Sequence, residues 1–220
     1  MNNAPVPRRG RLYLIAAPSG AGKTSLVRAL LERHPDVHFS ISYTTRPRRP
    51  NEAHGHDYHF VSQSEFDRMI AAGEFLEHAR VFDNCYGTAR QSVEAELSQG
   101  HDLLLEIDWQ GAQQVRRANP EAVSVFILPP SLDELRRRLQ KRAEEERRRL
   151  MGPGHAATEI ERRFREAVTD ISHWQEFDYV VVNDDFQRTL AALGDILAGR
   201  GKASRVGREE LRPLVAALLA

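Results

Sequence analysis

Cysteine is the scarcest chemistry in this sequence. Cys85 stands alone among 220 residues, which excludes an intramolecular disulfide and fits a reducing compartment. A lone thiol among polar neighbours is also a weak candidate for a nucleophile. Net charge is missing too. The 31 basic residues offset 31 acidic ones, so nothing points to a general affinity for nucleic acid or an acidic membrane surface. No window approaches the ~20 apolar residues that a membrane span needs, and no repeat of solenoid period is visible. Met1 to Gly10, with Pro5, Pro7, Arg8 and Arg9, lacks the apolar core of a signal peptide and reads as a short disordered leader. The expectation is a soluble, cytoplasmic protein that binds neither nucleic acid nor membrane, with a homo-oligomer left open. Its hydrophobic content of 41% suffices for one sizeable core and a smaller lobe.

What is present begins with a sharp transition. Leu12 to Ala16 is apolar without alternation, the pattern of a parallel strand buried on both faces. It stops at Ala17-Pro18-Ser19-Gly20-Ala21-Gly22-Lys23-Thr24-Ser25, after which a helical pattern starts. Strand, small-residue turn and helix N-terminus in that order form a phosphate-binding loop, because the backbone can curl and point successive N–H groups at an anion. Lys23 would reach the β- and γ-phosphates of a nucleoside triphosphate, and the Thr24 hydroxyl would ligate Mg²⁺. The consensus opens on glycine where this chain has Ala17, so that position is expected to be β-like.

The rest of the chain alternates strands and helices. The first helix carries Leu26, Ala29 and Leu30 inward and ends near His34-Pro35. Val37 to Ser42 alternates as a strand and leads into a proline-broken basic loop, Tyr43 to Pro50. Tyr58 to Val61 is a short strand, and Ser62-Gln63-Ser64-Glu65 is a capping box opening a helix through Phe66, Met69 and Ile70 to Gly73. Phe75 to Phe82 reads as a strand, Asn84 to Gly87 as a turn, and Arg90 to Gln99 as a helix closed by Gly100. The parallel pattern resumes with strands Asp102 to Asp108, Val123 to Leu128 and Tyr179 to Asn183. Helices Gln110 to Ala118, Ser131 onward through Leu132, Leu135 and Leu139, and Phe186 to Leu197 lie between and after them. Arg142 to Thr158 is a highly charged stretch containing Gly152-Pro153-Gly154, and Gly199 to Ala220 is a tail with a helix at Leu211 to Leu219. The expected class is α/β with a three-layer P-loop kinase fold and a central parallel sheet. Its expected core is residues 11–38, 91–135 and 175–197, with an α+β insertion at 39–90, a helical lid at 136–174 and a tail at 198–220.

A phosphate loop names only the donor, and the insertion offers the acceptor site. Arg46 and Arg49 with the phenols of Tyr58 and Tyr86 can bind a monophosphate dianion through charge-assisted hydrogen bonds. Glu77 suits guanine, whose N1–H and N2–H donors lie side by side, whereas adenine presents an acceptor at N1. Hydroxyls of Ser42 and Thr88 could donate to the guanine O6. Each residue also has a plainer reading, as a surface charge, a solvent-facing strand carboxylate or a core tyrosine.

Taken together, Ala17 to Lys23, Thr44-Thr45-Arg46-Pro47-Arg48-Arg49-Pro50, Asp57-Tyr58, Phe75-Leu76-Glu77, Tyr86-Gly87-Thr88, Ile107-Asp108-Trp109-Gln110-Gly111-Ala112 and Val182-Asn183-Asp184-Asp185 closely resemble guanylate kinase over roughly Gly10 to Leu197. Ala17 itself is a habit of bacterial members. The resemblance implies transfer of the ATP γ-phosphoryl group to GMP (and dGMP) with Mg²⁺, giving ADP and GDP, in purine nucleotide metabolism. It implies that Ala17 to Ser25, Arg138, Asn183 and Asp184 bind ATP. Arg46, Arg49, Tyr58 and Tyr86 would bind the GMP phosphate, and Ser42, Glu77, Gly87, Thr88 and Asp108 would lie at the guanine. Thr24 would hold Mg²⁺ directly and Glu106 through water, and Lys23, Arg46, Arg142 and Arg163 would be catalytic. The lid departs most from the pattern, with Glu144 to Thr158 where the family has a short Gly-rich acidic stretch. Two rival readings remain: a guanylate-kinase-like protein-binding module without activity, and a P-loop kinase of another phosphorylated acceptor. The first usually has a degraded phosphate loop, and the second has no need of the Glu77 and Thr88 pair. A nucleic-acid role for Arg136 to Arg149 is weakened by the acidic residues that interrupt the run.

Overall fold

A computed structural model describes residues 8–81, 83–150 and 157–220. The strands are β1 (Leu12–Ala16), β2 (Val37–Phe39), β3 (Tyr43–Thr44), β4 (His59–Phe60), β5 (Phe75–Val81), β6 (Asn84–Ala89), β7 (Asp102–Glu106), β8 (Val123–Leu128) and β9 (Tyr179–Val182). The helices are α1 (Lys23–Arg33), α2 (Gln63–Ala71), α3 (Arg90–Ser98), α4 (Trp109–Ala118), α5 (Leu132–Leu150), α6 (Ala157–Ile171), α7 (Phe186–Leu197) and α8 (Leu211–Leu219). A five-stranded sheet in the order β2-β7-β1-β8-β9 and a four-stranded sheet in the order β4-β3-β6-β5 complete the α/β class expected from the sequence. The β2–β7 and β8–β9 ladders are parallel. The chain divides into two compact units, one holding the chain up to Leu14 and His34–Val123, the other Ile15–Arg33 and Ser124–Ala220.

In the first unit the stretch expected as one strand, Val37 to Ser42, divides between two sheets. Val37–Phe39 pairs with β7, and the Ser40 amide still donates to the Leu104 carbonyl at 3.0 Å. Two residues on, the Ser42 carbonyl accepts from the His59 amide, and Tyr43–Thr44 pairs with β4 and β6. Residues 40–42 are therefore the crossing between sheets. The expected turn at Asn84 to Gly87 is instead the start of β6, because Val81 already pairs with Asn84. Phe66, Met69 and Phe75 form the small core under this sheet, with Tyr43, Val61 and Cys85 packed against it. Ser62 caps α2 by accepting from the Glu65 amide at 3.1 Å. The Glu65 carboxylate turns to Arg68 rather than completing the expected reciprocal cap, and Ile70 lies on the exposed side of the helix.

The second unit packs α1 and α7 together, and α5, α6 and α8 together. Leu26, Val27 and Leu30 bury one face of α1, so Val27 rather than Ala29 completes the stripe. Arg142 to Leu150, expected within a loose charged insertion, continues α5 as helix; Gly152-Pro153-Gly154 lies outside the described residues, as does most of the expected leader. Long Glu and Arg runs are good helix formers, which explains the continuation. Arg136 joins α5 to α6, its guanidinium 4.0 Å from the Phe164 ring centre and 2.6 Å from Glu161. The tail, whose helix but not its role could be read from sequence, belongs to the packing: Leu211, Val215 and Leu218 of α8 are buried. Ahead of α8, Arg205 forms an antiparallel bridge with Tyr179 on β9, and the Val206 amide donates to the Asp178 carbonyl.

Candidate functional site

The phosphate loop lies in the second unit. It leaves β1 at Ala16 and enters α1 at Lys23, with the Ala21 amide bonded back to the Pro18 carbonyl at 3.1 Å. Gly20 and Gly22 take φ of 89° and 96°, a region L side chains avoid. Space imposes glycine at position 22 as well: a Cβ there would sit 2.5 Å from the Asn183 amide nitrogen. That nitrogen donates to the Ala21 carbonyl at 2.7 Å. Arg138 donates to the same carbonyl at 3.2 Å and to the Asn183 carbonyl at 3.1 Å, while Glu134 holds its Nε at 2.6 Å. Three expected ATP residues, Ala21, Arg138 and Asn183, thus form one network that fixes the loop's shape from behind. Lys23, Thr24 and Ser25 occupy the first turn of α1, which contains no acidic residue, so the positive end of that helix is not offset by its own side chains. Asp184 accepts from the Asp185 amide and from Arg188, beside the Asp185 cap of α7. Arg142 lies on the exposed side of α5, and Arg163 donates to Glu159 at 3.0 Å from α6.

The first unit assembles the expected phosphate ligands of the acceptor. Arg46 forms a two-pronged pair with Glu52 at 2.7 and 3.0 Å, their side chains 13% and 15% exposed. Glu52 also accepts from the Arg49 amide at 2.8 Å. Burial opposes the Arg46 cation, yet its hydrogen bonds to the Glu52 carboxylate, and then electrostatic interaction with Tyr86, Glu52 and Tyr58, hold its pKa above the ordinary value. Burial likewise works against the Glu52 carboxylate and is outweighed by Arg46 and Arg49, so Glu52 titrates below its ordinary range. The Arg46 guanidinium lies 5.4 Å from the centre of the Tyr58 ring, and Tyr58 meets Tyr86 edge-on at 6.0 Å. Burial, then the charge of Glu106 and then Tyr86, push the Tyr58 phenol up to about 12, so it remains a proton donor at neutral pH. Glu52 is a functional candidate that sequence reasoning missed; its signal was an acid placed among Arg46, Arg48 and Arg49.

The expected base-reading residues also converge. Glu77 on β5 faces Thr88 across the antiparallel pairing with β6. Glu77 is 4% exposed and Thr88 fully buried, and the Thr88 hydroxyl donates to Glu77 Oε1 at 2.6 Å. The other carboxylate oxygen lies against α4, 2.6 Å from where a Cβ on Gly111 would be. Asp108 caps that helix, accepting from the Gly111 amide at 2.7 Å. The strand expected to reach Asp108 ends at Glu106, because Asp108 has become the N-cap. Two carboxylates therefore meet at one glycine at the positive end of α4. Gly111 and Gln114, whose amide clasps both backbone groups of His78 at 3.1 and 2.7 Å, were also missed. Gly87 serves by its size, since a Cβ there would lie 2.9 Å from the Phe75 ring. Ser42 is half-buried at the crossing between sheets.

Comparison with known proteins fits this geometry. The guanylate kinase family profile matches residues 9–200. A guanylate kinase of Alkalilimnicola ehrlichii is 52% identical over 210 residues, covering 96% of this chain and 97% of the relative. A guanylate kinase of Chromohalobacter salexigens is 52% identical over 214 residues, covering 97% and 94%. The crystal structure of guanylate kinase from Anaplasma phagocytophilum superposes with a TM-score of 0.70 at 33% identity, covering 98% of both chains. With the motifs in order and the match spanning nearly the whole length, this chain belongs to the guanylate kinase family.

Proposed function

We propose that this chain transfers the γ-phosphoryl group of ATP to GMP, giving ADP and GDP. The observation that carries the acceptor assignment is the buried Glu77 carboxylate, held by Thr88 and set against Gly111. An ionised carboxylate only accepts hydrogen bonds, so it matches the paired N1–H and N2–H donors of guanine and repels the N1 acceptor of adenine. Because the Thr88 proton is engaged by Glu77, Thr88 positions the carboxylate, and Ser42 is the donor for O6. Asp108 takes the second N2–H. None of these residues reads the ribose, so dGMP serves as well. Arg46, Arg49, Tyr58 and Tyr86 hold the acceptor phosphate, with Glu52 keeping the arginines extended before it arrives.

The attacking group is an oxygen of the GMP phosphate, so the protein needs neither a nucleophile nor a strong base. Catalysis consists of alignment and of cancelling charge on the transferred group. Backbone amides from Ala17 to Ser25 hold the triphosphate, Lys23 reaches its β- and γ-oxygens, and Arg142 and Arg163 of a lid at 136–174 balance the transition state. Arg138, Asn183 and Asp184 complete the adenine side. Thr24 would hold Mg²⁺ through its hydroxyl oxygen and Glu106 through a water of its shell, oxygen donors of the kind this hard cation takes. When bound, Mg²⁺ neutralises charge on the β- and γ-phosphates. We place the reaction in purine nucleotide metabolism in the cytoplasm, which a single free thiol suits.

The test is ADP release from ATP and Mg²⁺ with GMP, AMP, UMP or CMP offered in turn. Turnover with GMP alone is expected. Equal turnover with AMP would overturn the role of Glu77, and none with any acceptor would overturn the kinase.

A further inference from the structure

A second cluster of ligating side chains shares no residue with those assigned above. His38 on β2 and His101, just after α3, both place Nδ1 on the same oxygen of Glu96, at 2.7 and 2.8 Å. Their rings stack with centres 4.1 Å apart, and one ligand atom from each of the three residues lies within 4.8 Å of the others. The side chains of His38, Glu96 and His101 are 41%, 37% and 39% exposed, so solvent reaches the cluster.

The backbone builds this arrangement. Gly100 ends α3 with φ of 89°. Its amide donates to the Leu97 carbonyl, and the His101 amide donates to the Glu96 carbonyl at 3.1 Å. That paired closure is a Schellman motif, and it fixes His101 beside Glu96, one turn back in the helix. The parallel pairing of β2 with β7 sets His38 opposite Leu103, two residues beyond His101. Helix cap and strand register therefore hold three ligands, one each from β2, α3 and the short link between α3 and β7.

We propose that His38, Glu96 and His101 form a binding site for a borderline transition-metal cation such as Zn²⁺. Two imidazoles and one carboxylate are the ligand set that Zn²⁺ and its neighbours prefer over Mg²⁺, which takes oxygen and demands octahedral geometry. Three protein ligands leave a coordination position to solvent. The ion would staple β2 to the end of α3, separately from the Mg²⁺ that accompanies ATP.

The experiment is a titration of the full chain with Co²⁺ and Zn²⁺, without nucleotide, read by the Co²⁺ visible spectrum and by calorimetry. One equivalent is expected to bind. His38→Ala, His101→Ala and Glu96→Gln are each expected to weaken binding at least about tenfold, the scale on which even outer partners of a metal are felt. Cys85→Ser and His54→Ala, two ligands elsewhere in this unit, are expected to leave it unchanged. Retained GMP kinase activity confirms that each variant is folded. Crystals of the wild-type chain soaked in Zn²⁺ supply an independent reading. An anomalous peak among the three side chains upholds the site, and a peak elsewhere, unaltered affinity in all three variants or no binding at all overturns it.

Discussion

The loop proposed for the donor and the residues proposed for the acceptor, one set in each unit, are built on opposite principles. The phosphate loop is one short run of chain whose function resides in backbone atoms, shaped by two glycines and by the contacts of Asn183 and Arg138 on one carbonyl. The proposed acceptor half is made of side chains contributed by the β3–β4 connection, β5, β6 and the cap of α4, among them the buried Glu77 carboxylate and the largely buried Glu52. A loop of backbone amides recognises any polyphosphate. A buried carboxylate with one oxygen already engaged accepts only from particular donors, so under the proposed function discrimination would reside with the carboxylates and chemistry with the loop.

The sharpest way to separate the halves is Lys23→Ala. Turnover is expected to fall about a thousandfold, the cost of losing one donor to developing charge, while calorimetry shows GMP binding unchanged. A matching loss of GMP affinity would mean the halves are not independent. Next in size is Glu77→Gln, which replaces an acceptor-only group by an amide. GMP KM is expected to rise between about tenfold and a hundredfold, the value of a hydrogen bond to a charged group, with ATP KM unmoved. Gly22→Ala should act on the other side alone. Strain at φ of 96° and the clash with Asn183 are expected to cost about 1–3 kcal/mol, seen as a lower Tm and a raised ATP KM.

Glu52→Gln should have a smaller, several-fold effect on GMP KM, since it loosens Arg46 without removing it. Its pH dependence has a definite sign. Glu52 titrates below the ordinary glutamate value of 4.5, so the pairing stabilises the fold fully above that value. The contribution fades as pH falls through the lowered one. The Arg46 Nε–H resonance should shift in that acidic window in the wild type and not in the variant.

These contrasts explain what was legible in the sequence. The phosphate loop could be read because its meaning is local, and β1, α7 and α8 matched residue for residue because their apolar patterns are undiluted. β6 was mistaken for a turn because Asn84, Cys85 and Gly87 are weak strand formers, and only pairing with β3 and β5 makes them one. Glu77 could be named from the family pattern, but its bond to Thr88 and its seat on Gly111 arise from register and helix placement, which no local pattern encodes. Glu52 went unread because an exposed acid and a buried clamp look alike in a loop.

The tail carries a consequence for the protein in a crowded solution. β9 ends the five-stranded sheet, and a terminal strand of Tyr179, Val180, Val181 and Val182 would offer other chains an apolar, unpaired rim. Arg205 and Val206 lie along that rim, and Arg208 reaches the Val180 carbonyl at 2.8 Å. The last residues thus act as a selvedge, closing the weave against the edge-to-edge association that leads to aggregates.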